Sequence, residues 1–259
     1  NEEEIFFYLN DIEKMPRKDN TQMTDYYIKE ILKFLQEKYM YDSEKCERIA
    51  AIEMSFFPYL DWEDMRCFDR SMKKTPDLFA ELISIVFKKD NEEKKELTEE
   101  ESNYVNALYR LYDMSHFCPA EDKECVNEIE IMDWVKKFEE LLEANHQSRL
   151  FGFLLGRLLA FSPVGEDGYK PCEAVRKVIE RYGNNERLLS SYKTTIYNMR
   201  GIYSPTAGIG EMEIAERYRE SAEYLKVKYP KTAQIYYDLF HQYKHEADCE
   251  RRDAENGWY

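Results

Sequence analysis

SRLFGFLLGRLLAF, residues 148–161, is the most apolar run in the chain, and Arg157 is its only interior charge after Arg149. Two architectures could accommodate it, a membrane-spanning helix or a helix buried among other helices. Spanning a bilayer takes roughly 20 consecutive apolar residues, and this run offers about a dozen. The mean hydropathy of the chain, −0.73, points the same way. A helix apolar on several sides and too short to span belongs in the interior of a protein. Gly152 and Gly156 are four residues apart on one face, where a neighbouring helix can approach closely.

Outward from this run, apolar residues recur at spacings of three and four almost everywhere, and alternation of period two is scarce. The pattern predicts helices near residues 5–16, 23–40, 43–57, 61–72, 75–87, 98–112, 129–142, 171–182, 186–200, 211–229 and 231–256. Several termini carry their own signals. Thr75-Pro76-Asp77 offers a capping hydroxyl, a proline for the first helical position and an early acid. Thr98 with Glu101 three residues later forms a capping box. Gly201 suits a helix C-terminus, and Pro230 divides the last two helices. The expected fold is all-α, about eleven helices in irregular hairpins of the α-solenoid type, TPR- or HEAT-like, with no sheet. No unit carries the TPR consensus.

The 259 residues include 37 Lys+Arg and 52 Asp+Glu, for a net charge of −15. An excess of acid opposes general binding to nucleic acid, which depends on neutralising phosphates, and opposes an anionic membrane surface equally. The charge is uneven: residues 1–148 carry a net −16, residues 149–259 a net +1 and residues 170–200 a net +4. All nine glycines lie at or after position 152. Both shifts place the expected internal seam between an acidic, glycine-free part, 1–147, and a near-neutral part, 148–259, packed as one continuous unit. Six scattered cysteines without a CxxC fit reduced thiols in a cytoplasmic protein. The chain opens Asn-Glu-Glu-Glu with no signal-peptide pattern and no initiator Met, which suggests a piece of a longer protein.

Candidate chemistry is sparse. His241, His245, Asp248 and Cys249 fall on one face of the last helix, where three or four ligands could meet a metal. Gln242 stands where a His-Glu-x-x-His motif would need Glu, and surface histidines are the plainer reading. Glu99-Glu100-Glu101 and Glu139-Glu140 with Glu143 resemble magnesium-binding runs of helical pyrophosphatases, although capping explains the first. His116 and Cys118, two residues apart, point in different directions on a helix. P-loop, Gly-x-Ser-x-Gly and dinucleotide fingerprints are missing. No cofactor is expected and no enzymatic activity of this segment; the alternative is a small helical metal-dependent hydrolase using clustered carboxylates. The favoured site is a pair of long loops, 162–170 and 201–210. They display Glu166, Asp167, Tyr169, Arg200, Tyr203 and Thr206, a polar and aromatic set suited to binding a protein partner, unless the loops merely connect helices.

Three segments carry a resemblance over about residues 60–255. They are Thr75-Pro76-Asp77-Leu78-Phe79 with Leu82, Ile83, Val86 and Phe87; Asp167-Gly168-Tyr169 with Pro171; and Asn198, Arg200, Gly201, Glu211, Ala215, Tyr218, Ala222 and Pro230. Together they resemble the C-terminal helical-repeat region of large bacterial multidomain proteins of the antiviral-defence, signal-transducing NTPase type. Tyr169 stands where that pattern has Trp. The resemblance implies a non-catalytic sensor region that binds a foreign protein, and it carries over no catalytic residue.

Overall fold

The computed structural model of the chain describes residues 9, 21–91, 97–201 and 206–256, with side chains from residue 26 onward in the first described helix. It is all-α in class, with eleven α-helices among those residues. The helix expected over 5–16 lies outside them, apart from the buried Leu9. The chain divides into two compact units, Asn1–His116 and Phe117–Tyr259.

The first unit contains α1 (Thr21–Tyr39), α2 (Ser43–Phe56), α3 (Arg66–Lys74), α4 (Asp77–Val86) and α5 (Glu99–Met114). Ile28, Leu32 and Leu35 of α1, Ile49 and Phe56 of α2, Phe68 and Met72 of α3, and Phe79 and Ile83 of α4 supply its core. Asp42 caps α2, its carboxylate accepting from the Lys45 amide at 3.1 Å. The Thr98–Glu101 capping box forms in both directions, at 2.9 and 3.2 Å. Helix α4 begins at Asp77, one residue later than the Thr-Pro-Asp signal suggested, with Pro76 in the N-cap position.

No side chain of its own caps α3; the cap comes from another helix. Glu53 of α2 is fully buried and accepts from the first-turn amides of Cys67 at 3.2 Å and Phe68 at 2.7 Å, and from Gln36 Nε2 at 2.8 Å. An acceptor is needed there, because the first amides of a helix have no partner within it. Burial pushes the Glu53 carboxyl up to about 7, against the pull of these donors.

The second unit opens with a two-stranded antiparallel hairpin, β1 (Glu121–Asp122) against β2 (Cys125–Val126). This corrects the expectation of no sheet. The turn residues Lys123 and Glu124 both have positive φ, 50° and 61°. That is the conformation of a tight hairpin turn usually built from Asn-Gly or Asp-Gly. Lys-Glu gives no such signal, so the sequence reads here as plain loop. Six helices follow: α6 (Glu128–Ala144), α7 (Phe151–Leu159), α8 (Glu173–Tyr182), α9 (Glu186–Asn198), α10 (Ile209–Leu225) and α11 (Pro230–Glu255).

Helix α6 packs on α7 and α8. The expected seam at 147/148 therefore falls inside the second unit: packing changes near 116, one helix before charge and glycine content do. Helices α10 and α11 form an extensive antiparallel pair. The buried helix α7 instead pairs with α9, while α8, between them in sequence, packs against α6 and α11. A solenoid in which each helix rests mainly on the next describes α10–α11 and not α7–α9.

Gly156 explains the α7–α9 contact. A Cβ there would lie 2.3 Å from the Leu188 carbonyl oxygen and 2.9 Å from the Tyr192 amide nitrogen. One turn away the Ser191 hydroxyl donates to the Phe153 carbonyl at 2.6 Å.

Two predictions follow from these contacts. Alanine at 156 gains about 0.5–1 kcal/mol of helix propensity, but overpacking against backbone costs about 1–3 kcal/mol. Gly156→Ala should therefore lower the thermal midpoint of the second unit. In the first unit, Glu53 holds in the folded state a proton that the unfolded chain releases at its ordinary value near 4.3. Its contribution is complete below that pH and is lost as pH rises toward 7, a change of about 3 kcal/mol. Urea titrations between pH 4.5 and 7.5 should show Glu53→Gln removing that component of the wild-type slope.

Candidate functional site

The first of the two long loops is organised around one buried cation. Arg176, in the second turn of α8, is fully buried, and all three of its nitrogens donate into the loop. Nε reaches the Pro171 carbonyl at 2.6 Å, and Nη2 the Tyr169 carbonyl at 2.7 Å. Nη1 and Nη2 grip the Asp167 carboxylate at 2.5 and 2.8 Å. This bidentate fork is the geometry that guanidinium and carboxylate planes favour. Arg176 holds the Asp167 carboxyl down to about 2. Asp167 also accepts from the Tyr169 amide at 3.1 Å, and the Gly165 amide closes the loop onto the Tyr169 carbonyl at 2.9 Å. The Tyr169 ring stacks on Tyr224 of α10, centroids 4.1 Å apart. Of the residues proposed from sequence in this loop, Asp167 and Tyr169 build it; Glu166 is exposed.

The second loop is organised around buried anions. Glu250 of α11 accepts from the amides of Thr206 at 3.2 Å and Gly208 at 3.1 Å. Gly208 has φ of 81°, and a Cβ there would strike the Ala247 carbonyl at 2.3 Å. Glu211 is fully buried, ion-paired with Arg200, and accepts from the Thr206 hydroxyl at 3.2 Å. Burial works against its charge, and Arg200 together with the hydrogen bonds around the carboxylate outweighs it, leaving the carboxyl below its ordinary value. The Arg200 guanidinium also lies 5.4 Å from the centre of the Tyr243 ring. Arg200 and Thr206 are thus brought together through Glu211. Tyr203 lies outside the described residues.

Beside the end of the first loop the second unit has a pocket of about 420 Å³. Lys170 contributes to it from the end of the first loop and Arg200 from the turn after α9, just before the second. Tyr192, Tyr236 and Tyr243 line it as well and are almost entirely buried, while Tyr218 is partly exposed. The hydroxyls of Tyr192 and Tyr236 are 3.4 Å apart, and Tyr236 donates to the Lys170 carbonyl at 2.7 Å. Burial raises the phenol pKa of all four tyrosines, which keeps them neutral. Arg217 of α10 adds a further cation, and Ile196, Met199 and Ile214 add apolar wall. No sequence motif marks the convergence of these tyrosines. The one local signal is the spacing of Tyr236 and Tyr243, seven apart on one face of α11.

The metal candidates do not converge. His241 and His245 are exposed, and His245 Nε2 lies 3.7 Å from Cys249 Sγ. Cys249 also accepts from Arg252 at 3.2 Å, and Asp248 is ion-paired with Arg251. Among the described residues no group of three or more His, Cys, Asp or Glu side chains is placed to hold a metal ion. Glu101 closes its own capping box, and Glu140 lies 3.9 Å from Lys136. No described helix is long and apolar enough to cross a membrane. Comparison of the chain with protein-family models, with curated proteins and with solved structures gives no match.

Replacing Arg176 by Met would strip the Asp167 carboxylate of its countercharge and the Pro171 carbonyl of its donor, leaving Asp167 and the Tyr169 carbonyl only the loop amides. Losing one partner of a buried ion pair costs about 3–5 kcal/mol. Thermal denaturation should show a loss of that order, with faster amide exchange over 162–171. In the wild type the pair's contribution is present above the ordinary carboxyl value and is lost as pH falls toward 2, so the difference between the two proteins should shrink in acid.

Proposed function

We propose that this chain is a non-catalytic recognition module that binds a protein partner through loops 162–170 and 201–210. The single observation behind this reading is that both loops are pinned from beneath by buried charges, Arg176 in the first and Glu211 with Glu250 at Thr206 and Gly208 of the second. A surface ordered before binding avoids the entropic cost of ordering it in the complex. Val164 and Glu166 remain exposed on the first loop. The resemblance to helical sensor regions of large bacterial defence proteins supports the same reading, with an irregular helical repeat as its frame. Six free cysteines agree with a reducing, cytoplasmic setting.

The test uses Val164→Glu with Glu166→Lys, two exposed positions whose exchange should leave the thermal midpoint within about 1 °C, since surface changes are usually within ±0.5 kcal/mol. The wild-type protein should retain from bacterial lysate a protein that protects amides 162–171 from exchange. The double variant should retain at least about tenfold less of it, as expected when interface charges are reversed. Equal retention by both proteins, or protection confined to other segments, would overturn the proposal.

A further inference from the structure

The pocket lined by Lys170, Arg217 and the four tyrosines has the features of a small-molecule site, independently of any protein partner. Its volume of about 420 Å³ lies within the ~300–1,000 Å³ range of small-ligand pockets. Its chemistry is of two kinds. One is cationic: Lys170 and Arg217 are exposed, and among the described residues neither has a carboxylate within ion-pairing distance. The Arg217 side chain makes one long contact, Nε to the Glu213 carbonyl at 3.4 Å. Both therefore keep donors for an incoming anion, in a chain whose overall charge is −15. The other is aromatic. Tyr218 lies nearly parallel to Tyr236 and Tyr243, with interplanar angles of 17° and 22° and centroids 5.7 and 5.6 Å away. Planar guests favour such ring faces, in offset-stacked or edge-on contact. The phenols are neutral and add no negative charge to the cations' field.

We infer that this pocket binds a small anion carrying a planar ring, the ring against Tyr218 and the anionic group between Lys170 and Arg217. Phosphate- and carboxylate-bearing ring compounds share this chemistry, and the site offers ammonium and guanidinium donors to either. Extended nucleic acid is disfavoured, because the cations are few and the chain around them is acidic.

The test is titration calorimetry on the whole chain at low salt, with adenosine 5′-monophosphate as the phosphate probe and indole-3-acetate as the carboxylate probe. At least one should bind saturably with Kd below about 1 mM, and neutral adenosine or 3-methylindole should bind at least about tenfold more weakly. Lys170→Ala with Arg217→Ala, both exposed side chains, should weaken binding at least about tenfold while the thermal midpoint holds. Tyr218→Leu should weaken it by about threefold or more, the size expected from a lost aromatic contact. Absence of saturable binding by both probes, equal affinity for the neutral analogues, or unchanged affinity in the double variant would overturn the inference. Because Val164 and Glu166 do not line the pocket, failure here leaves the protein-partner reading standing, and the reverse.

Discussion

A guanidinium sealed from water imposes strict demands on the chain around it. Arg176 brings five N–H donors into the interior of the second unit, and each one left without an acceptor would carry the desolvation penalty of a buried charged group. Four acceptors answer it, two oxygens of Asp167 and the carbonyls of Tyr169 and Pro171. All of them lie within ten residues upstream, so the loop before α8 must wrap back over the first two turns of its own helix. That wrap presents the Lys170 carbonyl to Tyr236 of α11 and the Tyr169 ring to Tyr224 of α10. One side chain thereby fixes how α8 and its loop meet the last two helices.

The two loops answer the same problem with opposite charge. In the first, a cation gathers carbonyls and a carboxylate; in the second, Glu211 and Glu250 gather amides, a hydroxyl and a guanidinium. Loop backbone buried without such partners would carry polar groups that nothing satisfies. In the first unit Glu53 does the same for the start of α3. Glu53 and Glu250 tie together segments distant in sequence, while Arg176 and Glu211 fix the loops next to their own helices; each is a polar residue at a position where helical periodicity alone would place an apolar one.

The periodicity of apolar residues was sufficient for the helices. Gly152 and Gly156 in the run from 148 to 161 made that helix legible as a closely packed element, and the Thr98–Glu101 box located the start of α5. The partner of α7 was not legible, because spacing within a helix says which face is buried and nothing of what covers it. Charge and glycine content put the seam at 147/148 because α6 is as acidic as the helices before it, although it packs with those after it. The loops were legible as loops. Glutamate and arginine read as solvated from sequence, and only the three-dimensional arrangement distinguishes Arg176, Glu211 and Glu250 from the many charges that are exposed. The convergence of Arg217 with the four tyrosines was not legible for the related reason that they come from three different helices.

The pairing of α7 with α9 also has a kinetic side. Helices α10 and α11 are joined by the short turn 226–229, so their contact closes a small loop and can form early. The α7–α9 seam joins residues such as Phe153 and Ser191, 38 positions apart, and must enclose the whole of α8 with the loop before it. Contacts of large sequence separation slow folding. When the whole chain refolds, the terminal hairpin is therefore expected to close before the glycine-lined seam, whereas on the ribosome α7 and α9 emerge before α10 and α11, which gives the seam the earlier start.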